Sequence, residues 1–213
     1  MKTDWNLHYK KNKSVLAYPD ENLVRLIMKE LQRYNSLDEL AAIDIGCGSG
    51  RHIAFLQHTG LSHVFGTDNS MNALELCRDL NPEQLINCDN RSIPLRDEYF
   101  DISVAWGSLH YSAKTEIISM INEIRRITKS GGAFFATLRS DKDTYLKTGK
   151  HLGNNTWQTG LDDLSGTVVS FYNEEELTEI FSGFGEFKYG WMARTIMGDT
   201  SKLISHWIIS ARK

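Results

Sequence analysis

Between residues 44 and 50 the chain reads Asp44-Ile-Gly46-Cys-Gly48-Ser-Gly50, an acid followed by glycines at alternate positions. Glycines so placed let the backbone come close to a bound molecule, and a helix opening at the end of the loop offers N–H groups. The dinucleotide fingerprint G-x-G-x-x-G is broken, because its last glycine position is Arg51. The Gly-Lys-Ser/Thr ending of a phosphate-binding loop is absent too. A pyrophosphate would be repelled by Asp44, whereas an ammonium group would be attracted to it. Asp44 reads equally well as a buried acid bonded to loop amides. Asp68 comes about 20 residues after the first glycine, where an acid at a strand end can accept from both hydroxyls of a ribose. Asp89 follows a third short apolar run and stands where it can accept from an adenine amino group, or can act as a turn former before Asn90. Three acids at three strand ends suit a ligand with a cationic amino-acid end, a ribose and an adenine, and S-adenosylmethionine meets that description.

These residues need a frame that brings strand ends together. Strands are expected at 41–45, 64–67, 84–88, 100–105 and 133–138. Between them, helices are expected at 51–58, at 71–80 with Ser70 as N-cap and Met71, Leu74 and Cys77 on one face, and at 114–129, stopping at Gly131-Gly132. The last of these carries Ile117, Met120, Ile121, Ile124 and Ile127 at helical spacing. Such alternation predicts a parallel sheet covered on both faces, with the loops 46–50, 68–70, 89–90 and 106–111 on one edge. Asn173-Glu-Glu-Glu176 opens a helix ending near Phe181, and 186–191 and 203–210 are too close for a helical crossover, so they should pair antiparallel. Residues 1–34 predict two leading helices, the second from Pro19-Asp20-Glu21 with Leu23, Ile27, Leu31 and Tyr34 on one face. Residues 140–167, with Gly149, Gly153, Gly160 and Gly166, form a polar insertion of the kind that serves as a lid or a mobile segment.

Asp44–Gly50, Gly66-Thr-Asp68-Asn-Ser70, Cys88-Asp89, Phe100-Asp-Ile-Ser-Val-Ala105 and Lys129-Ser-Gly-Gly-Ala133 together resemble the ordered motifs of class I S-adenosylmethionine-dependent methyltransferases, and most of all their small-molecule branch. The resemblance covers roughly residues 36–140. It implies an α/β, Rossmann-like, seven-stranded, mostly parallel sheet of order 3-2-1-4-5-7-6 with strand 7 antiparallel and helices on both faces. It implies one methyltransferase domain over 1–213, with leading helices to 34, the cofactor core over 36–140, an insertion shaping the acceptor pocket over 140–167, and a C-terminal helix and hairpin over 168–213. The cofactor residues it implies are Asp44, Gly46, Cys47, Gly48 and Gly50 for the methionine part, Asp68, Asn69 and Ser70 for the ribose, Asp89 and Asn90 for the adenine, and Trp106 beside it. Trp106 otherwise reads as filling the sheet edge, and Asp68 as an acid at a helix start that favours the dipole. The side chains of Cys47 and Ser49 otherwise read as loop fillers, and Cys77 as core. In Trp106-Gly-Ser-Leu-His110-Tyr111 the inferred fold aims His110 at the transferable methyl, where it acts either as a general base or as a residue shaping the pocket. Tyr111 and His151 stand next in line as a base. Trp5, Tyr9 and Tyr18 either close over the cofactor or staple the leading helices to the core. Lys10, Lys11 and Lys13 read as a solvated face, and His151 and Trp157 as exposed or structural.

Composition sets the outer bounds. The chain has 213 residues, 24 Lys and Arg against 27 Asp and Glu, and a net charge of −3, so bulk charge gives no pull toward nucleic acid or an anionic membrane. The Pro-Pro motif of nucleic-acid amine methylation is missing, since the place after the fourth strand reads Ala105-Trp-Gly-Ser108. Cys47, Cys77 and Cys88 form no CxxC pair and read as reduced thiols of a cytoplasmic protein. No apolar run approaches a membrane span, the first residues lack an apolar signal core, and no His/Cys/Asp group has metal-ligand spacing. The expected activity is methyl transfer from S-adenosylmethionine to an oxygen or nitrogen of a small polar molecule. The rival readings are a thiol, metalloid or RNA acceptor, and a non-catalytic S-adenosylmethionine-binding protein.

Overall fold

The structure is a computed structural model and describes residues 5–10, 15–80, 84–161 and 164–213. Lys11 and Lys13 of the expected solvated face lie outside the described residues. Its centre is a seven-stranded sheet made of β1 (Ala41–Ile45), β2 (His63–Asp68), β3 (Leu85–Asn87), β4 (Phe100–Ala105), β5 (Thr128–Arg139), β9 (Glu186–Ile196) and β10 (Asp199–Arg212). The spatial order is β3-β2-β1-β4-β5-β10-β9, and β10 runs antiparallel to both of its neighbours. This is the expected order 3-2-1-4-5-7-6 with the last strand reversed.

All of β1 is buried, as a central parallel strand covered on both faces must be. Ile43 and Ile45 point to a core shared with α5 (Ile117–Ile127) and α6 (Glu174–Ile180). Ala42 points the other way, into a core shared with α2 (Glu21–Leu31), α3 (Arg51–His58) and α4 (Met71–Glu75). In α2, Leu23, Ile27 and Leu31 are buried, Tyr34 is half-buried just beyond the helix, and the Asp20 carboxylate accepts the Asn22 N–H at 2.9 Å as N-cap. Before it, α1 (Trp5–Lys10) rests on α4, where Asn6 accepts from the Ser70 hydroxyl at 3.0 Å and its carbonyl accepts from the Asn72 amide at 2.7 Å. No helix among the described residues is long and apolar enough to cross a membrane.

Four elements depart from the sequence reading. The expected helix 71–80 breaks after Glu75 into a short turn at Arg78–Leu80, and Met71 is half exposed, so Leu74 and Cys77 alone carry the apolar face. The helix expected over 114–129 ends at Ile127. Gly131 and Gly132 lie inside β5, which begins at once on Thr128 and pairs with β4 through an irregular register. The insertion is not a bare loop. Its β6 (Lys150–Gly153) and β7 (Thr156–Gln158) join β8 (Val168–Ser170) in a separate antiparallel sheet over a small apolar cluster of Leu146, Val169 and Phe171. The β9–β10 hairpin is longer than expected and overhangs the end of β5, whose last partner in it is His206 opposite Arg139. The overhang is tied to the insertion, where the Leu203 carbonyl accepts from Thr144 at 2.9 Å and the Ser205 carbonyl from Ser140 at 3.0 Å.

Candidate functional site

A cavity of about 600 Å³ opens at the carboxyl ends of β1, β2, β4 and β5, within the size range of small-molecule sites. Its floor is the loop after β1. Gly46 and Cys47 donate to the Thr67 carbonyl at 2.7 and 2.8 Å, and Gly48 donates to the Asp68 carboxylate at 2.9 Å. Those bonds fold the loop back on β2 and press its glycines against their neighbours. A Cβ on Gly46 would stand 2.4 Å from Cβ of Ser108, and one on Gly48 2.5 Å from the Tyr9 hydroxyl, both at positive φ.

Asp68 sits at the junction of the loop and α4. One carboxylate oxygen accepts the Gly48 N–H and the other accepts the Ser70 N–H, each at 2.9 Å. Burial raises its pKa, and the backbone N–H groups of Ser70, Gly48 and Asn69 oppose the rise without cancelling it. Each oxygen keeps lone-pair capacity for a hydroxyl. Asp44 lies beneath the loop, 1% exposed, and neither of its oxygens has a hydrogen-bond partner among the described residues. His52, which lines the cavity, holds its Nδ1 3.5 Å from Asp44. A buried carboxylate without donors is costly unless a ligand supplies them, and a cationic group near the loop would do so.

The far end of the cavity has different chemistry. His110 follows β4 and is 1% exposed, and neither ring nitrogen has a hydrogen-bond partner among the described residues. Its ring lies 4.5 Å from that of Tyr111 and 5.7 Å from that of His206. Burial, and then the positive charge of Arg139, push its pKa well below the usual range. His206 on β10 is pushed down to about 3 by burial and by Arg139 and Arg194. Both rings are therefore neutral at neutral pH. Over the opening, α1 brings Tyr9 against Gly48 and sets Trp5 edge-on to Tyr111, ring centroids 5.1 Å apart.

Of the residues singled out in the sequence, Gly46, Cys47, Gly48, Asp68, Asn69, Asn90, Trp106 and His110 line this one cavity. Asp44, Gly50, Ser70 and Asp89 do not. Gly50 takes up a left-handed conformation at the start of α3, where a Cβ would strike Leu80. Ser70 caps α4 through the Ala73 N–H. Asp89 is turned aside by Arg91, whose Nε and Nη2 donate to its two oxygens at 2.8 and 2.5 Å, and Asn90 faces the cavity in its place. Trp5 and Tyr9 line the cavity, whereas Tyr18 is 83% exposed. His151 is exposed and stacks near Trp157. The insertion contributes Leu164 alone among its described residues, and the hairpin contributes Met192, Ala193, Arg194, Ile204 and His206.

Thr137, Arg139 and these hairpin residues are absent from the sequence reading. Their signal was weak: alternate positions on strands whose length and register the sequence left open. Cys47 and Cys88 have no nucleophilic part, since the hydrogen bond that the Cys47 thiol makes to Cys77, together with burial, holds Cys47 protonated, and burial pushes Cys88 up to about 11. Among the described residues no group of three His, Cys, Asp or Glu is set to hold a metal ion.

Residues 43–136 match the family model described as a methyltransferase domain. The human protein named "Probable tRNA methyltransferase 9B" is 36% identical over 90 residues, 42% of this chain and 19% of that protein, so the chain spans about a fifth of the length of such curated relatives. A SAM-dependent methyltransferase from Methanosarcina mazei shares the fold at a TM-score of 0.67 and 21% identity, over 86% of this chain and 96% of that one. The Burkholderia thailandensis 1,6-didemethyltoxoflavin-N1-methyltransferase, solved with its substrate and S-adenosylhomocysteine bound, gives a TM-score of 0.63 at 14% identity, over 91% of this chain and 77% of that one.

Proposed function

Starting from a chain that carries an S-adenosylmethionine-dependent methyltransferase domain, we propose that it methylates an oxygen or nitrogen of a small polar molecule. The observation that carries this reading is the two-part cavity, a glycine-and-acid end continuous with an end lined by neutral histidines, two arginines and apolar side chains. On this reading the backbone of Gly46, Cys47 and Gly48 cradles the methionine part of the cofactor, with the unpartnered carboxylate of Asp44 providing the negative field for its ammonium, directly or through His52. Asp68 accepts the ribose hydroxyls with the lone pairs its two amide bonds leave over. Asn69, Asn90 and Trp106 flank the nucleoside, with Asn90 taking the adenine contact first assigned to Asp89.

When bound, S-adenosylmethionine would supply a methyl carbon activated by its sulfonium, with the neutral thioether S-adenosylhomocysteine as the leaving group. The protein's own part is then to align and to desolvate. His110 accepts a hydrogen bond from the acceptor's O–H or N–H and so points the lone pair. Its depressed pKa makes it an orienting group and a weak base, suited to a proton that leaves late.

A second reading, an RNA acceptor, is favoured by the name of the human relative. The net charge of −3 and the cavity of about 600 Å³ favour the small molecule. The deciding experiment measures S-adenosylhomocysteine release from purified protein offered small hydroxyl and amine acceptors in parallel with total tRNA. Turnover on a small acceptor supports the proposal. Turnover on tRNA alone replaces it with the second reading, and no turnover beside tight cofactor binding points to a silent binding protein.

A further inference from the structure

Building on that reading of the cavity's far end as the acceptor compartment, we propose that the methyl acceptor bears a carboxylate that seats on Arg139, and an apolar body. Arg139 ends β5, lines the cavity and is 6% exposed. Its Nη1 donates to the Asp143 carboxylate at 2.5 Å, while its Nε, fully buried, has no hydrogen-bond partner among the described residues. Asp143 is not an acid waiting for a ligand. Its oxygens also accept the Leu146 and Ser205 N–H groups at 3.0 and 2.8 Å. It therefore serves as a fixed bracket that holds the guanidinium plane in place, with an edge left unmet.

An unmet donor on a buried cation calls for an acceptor oxygen, and a planar guanidinium matches a planar carboxylate better than any other common anion. The surroundings agree in charge. Around Arg139 stand Thr137 on its own strand, His110 and Tyr111 after β4, and Arg194 and His206 on the hairpin. Both histidines are neutral at neutral pH, and Arg194 adds a second positive charge at the exposed rim. The carboxylates lining the cavity are Asp20, Glu21 and Asp68, which belong to the start of α2 and to the glycine-loop end. The compartment also carries the apolar side chains of Trp5, Leu164, Met192 and Ile204, with the Asn22 amide 3.4 Å from the Met192 sulfur. A small organic acid with an aromatic or branched body satisfies the cation, the unmet N–H and the apolar wall together. A neutral polar molecule satisfies only the last two.

The test uses matched acids and amides as probes: benzoate with benzamide, hexanoate with hexanamide, and anthranilate with anthranilamide. Each is titrated calorimetrically into the full chain saturated with S-adenosylhomocysteine. The expected result is that at least one acid binds tenfold or more tightly than its amide. That preference should fall about tenfold in Arg139→Lys, which keeps the charge beside Asp143 but lacks the Nε edge. It should vanish in the double variant Arg139→Gln with Asp143→Asn, which removes the buried pair without stranding one charge. Retained S-adenosylhomocysteine affinity shows that the variants are folded, and the wild-type acid–amide comparison needs no variant. Equal binding of acids and amides, no binding of any probe, or an undiminished preference in Arg139→Lys overturns the proposal while leaving the cofactor reading intact. Failure of the wild type to bind S-adenosylhomocysteine removes the cofactor reading and this inference with it.

Discussion

Replacing Asp68 by Asn tests the cofactor end more sharply than truncation does. The two oxygens of Asp68 face two different backbone donors, Gly48 N–H and Ser70 N–H, both at 2.9 Å. An amide must therefore turn its NH₂ against one of them, whichever way it flips. Two consequences for folding oppose each other. One buried N–H loses its acceptor, which costs about 1–3 kcal/mol. A charge whose burial raises its own pKa is removed, and that relief works the other way. Fold stability should move little, and the melting temperature by no more than roughly 4 °C, the size expected for about 1 kcal/mol in a chain of this length. Cofactor affinity has no such compensation. The NH₂ cannot accept a ribose hydroxyl, so at least one charge-assisted bond is lost. At about 1.5–3 kcal/mol that is roughly a 10- to 150-fold rise in Kd.

The pH profile supplies an independent check. Only the ionised carboxylate accepts from both hydroxyls, and burial lifts the pKa of Asp68 in the free protein. Wild-type affinity should therefore begin to fall at a higher pH than an ordinary carboxylate would dictate, by up to tenfold per pH unit below that pKa. Calorimetry with S-adenosylhomocysteine across the acid range measures both quantities. Wild-type affinity in Asp68→Asn, or an acid limb that survives the substitution unchanged, would refute the assignment and move it to Asp44, the other buried carboxylate at this end.

Gly48→Val should abolish cofactor binding and displace α1, since even a Cβ there meets the Tyr9 hydroxyl at 2.5 Å and φ is +56°; circular dichroism must show a retained fold, and unaltered affinity would make the loop a plain turn. His110→Ala should keep cofactor affinity near wild type and slow methyl transfer by ~10²-fold on an acceptor found by the screen. The wild-type rate should show no inflection near neutrality, because the His110 pKa lies well below the usual range. Joint loss of binding and turnover would instead make the loop after β4 part of the cofactor wall. Stability should fall as pH drops below about 6.5, because His110 and His206 take up protons in the unfolded chain while staying neutral when folded, His206 down to about 3. Thermal melts from pH 7 to 4 should show this acid limb, and the double variant His110→Asn with His206→Asn should flatten it; an unchanged limb would show that other groups set it.

The sheet was legible because its central strands are short, apolar and separated by helices with a clear period. The long helix α5 could be read from five isoleucine and methionine positions, although its end could not. Gly131-Gly132 looked like a stop, but Thr128 already has extended backbone as the helix cap, so the glycines fell inside the strand. The orientation of Asp89 is not legible in one dimension, because Arg91, two residues on, reaches back to it. The strands of the insertion escaped notice because four glycines and many polar residues hide pairs only three or four residues long. Arg139 and His206 carry no motif at all. They meet because β5 and β10 pair in a register that sets one opposite the other, and register is a property of the assembled sheet.

The hairpin overhang has a consequence for how such a chain diversifies. The methyltransferase-domain match stops at residue 136, and Thr137, Arg139, Leu164, Met192, Arg194, Ile204 and His206 all come after it. Apart from Trp5, His110 and Tyr111, the wall of the far compartment is thus written in a separate, later stretch of the gene. Substitutions there, or exchange of the whole tail between cousins, can alter what is recognised without disturbing the donor half. A chimera joined just after Ala136, where the parallel strands are already paired, is the natural unit for testing whether the later stretch sets what is recognised.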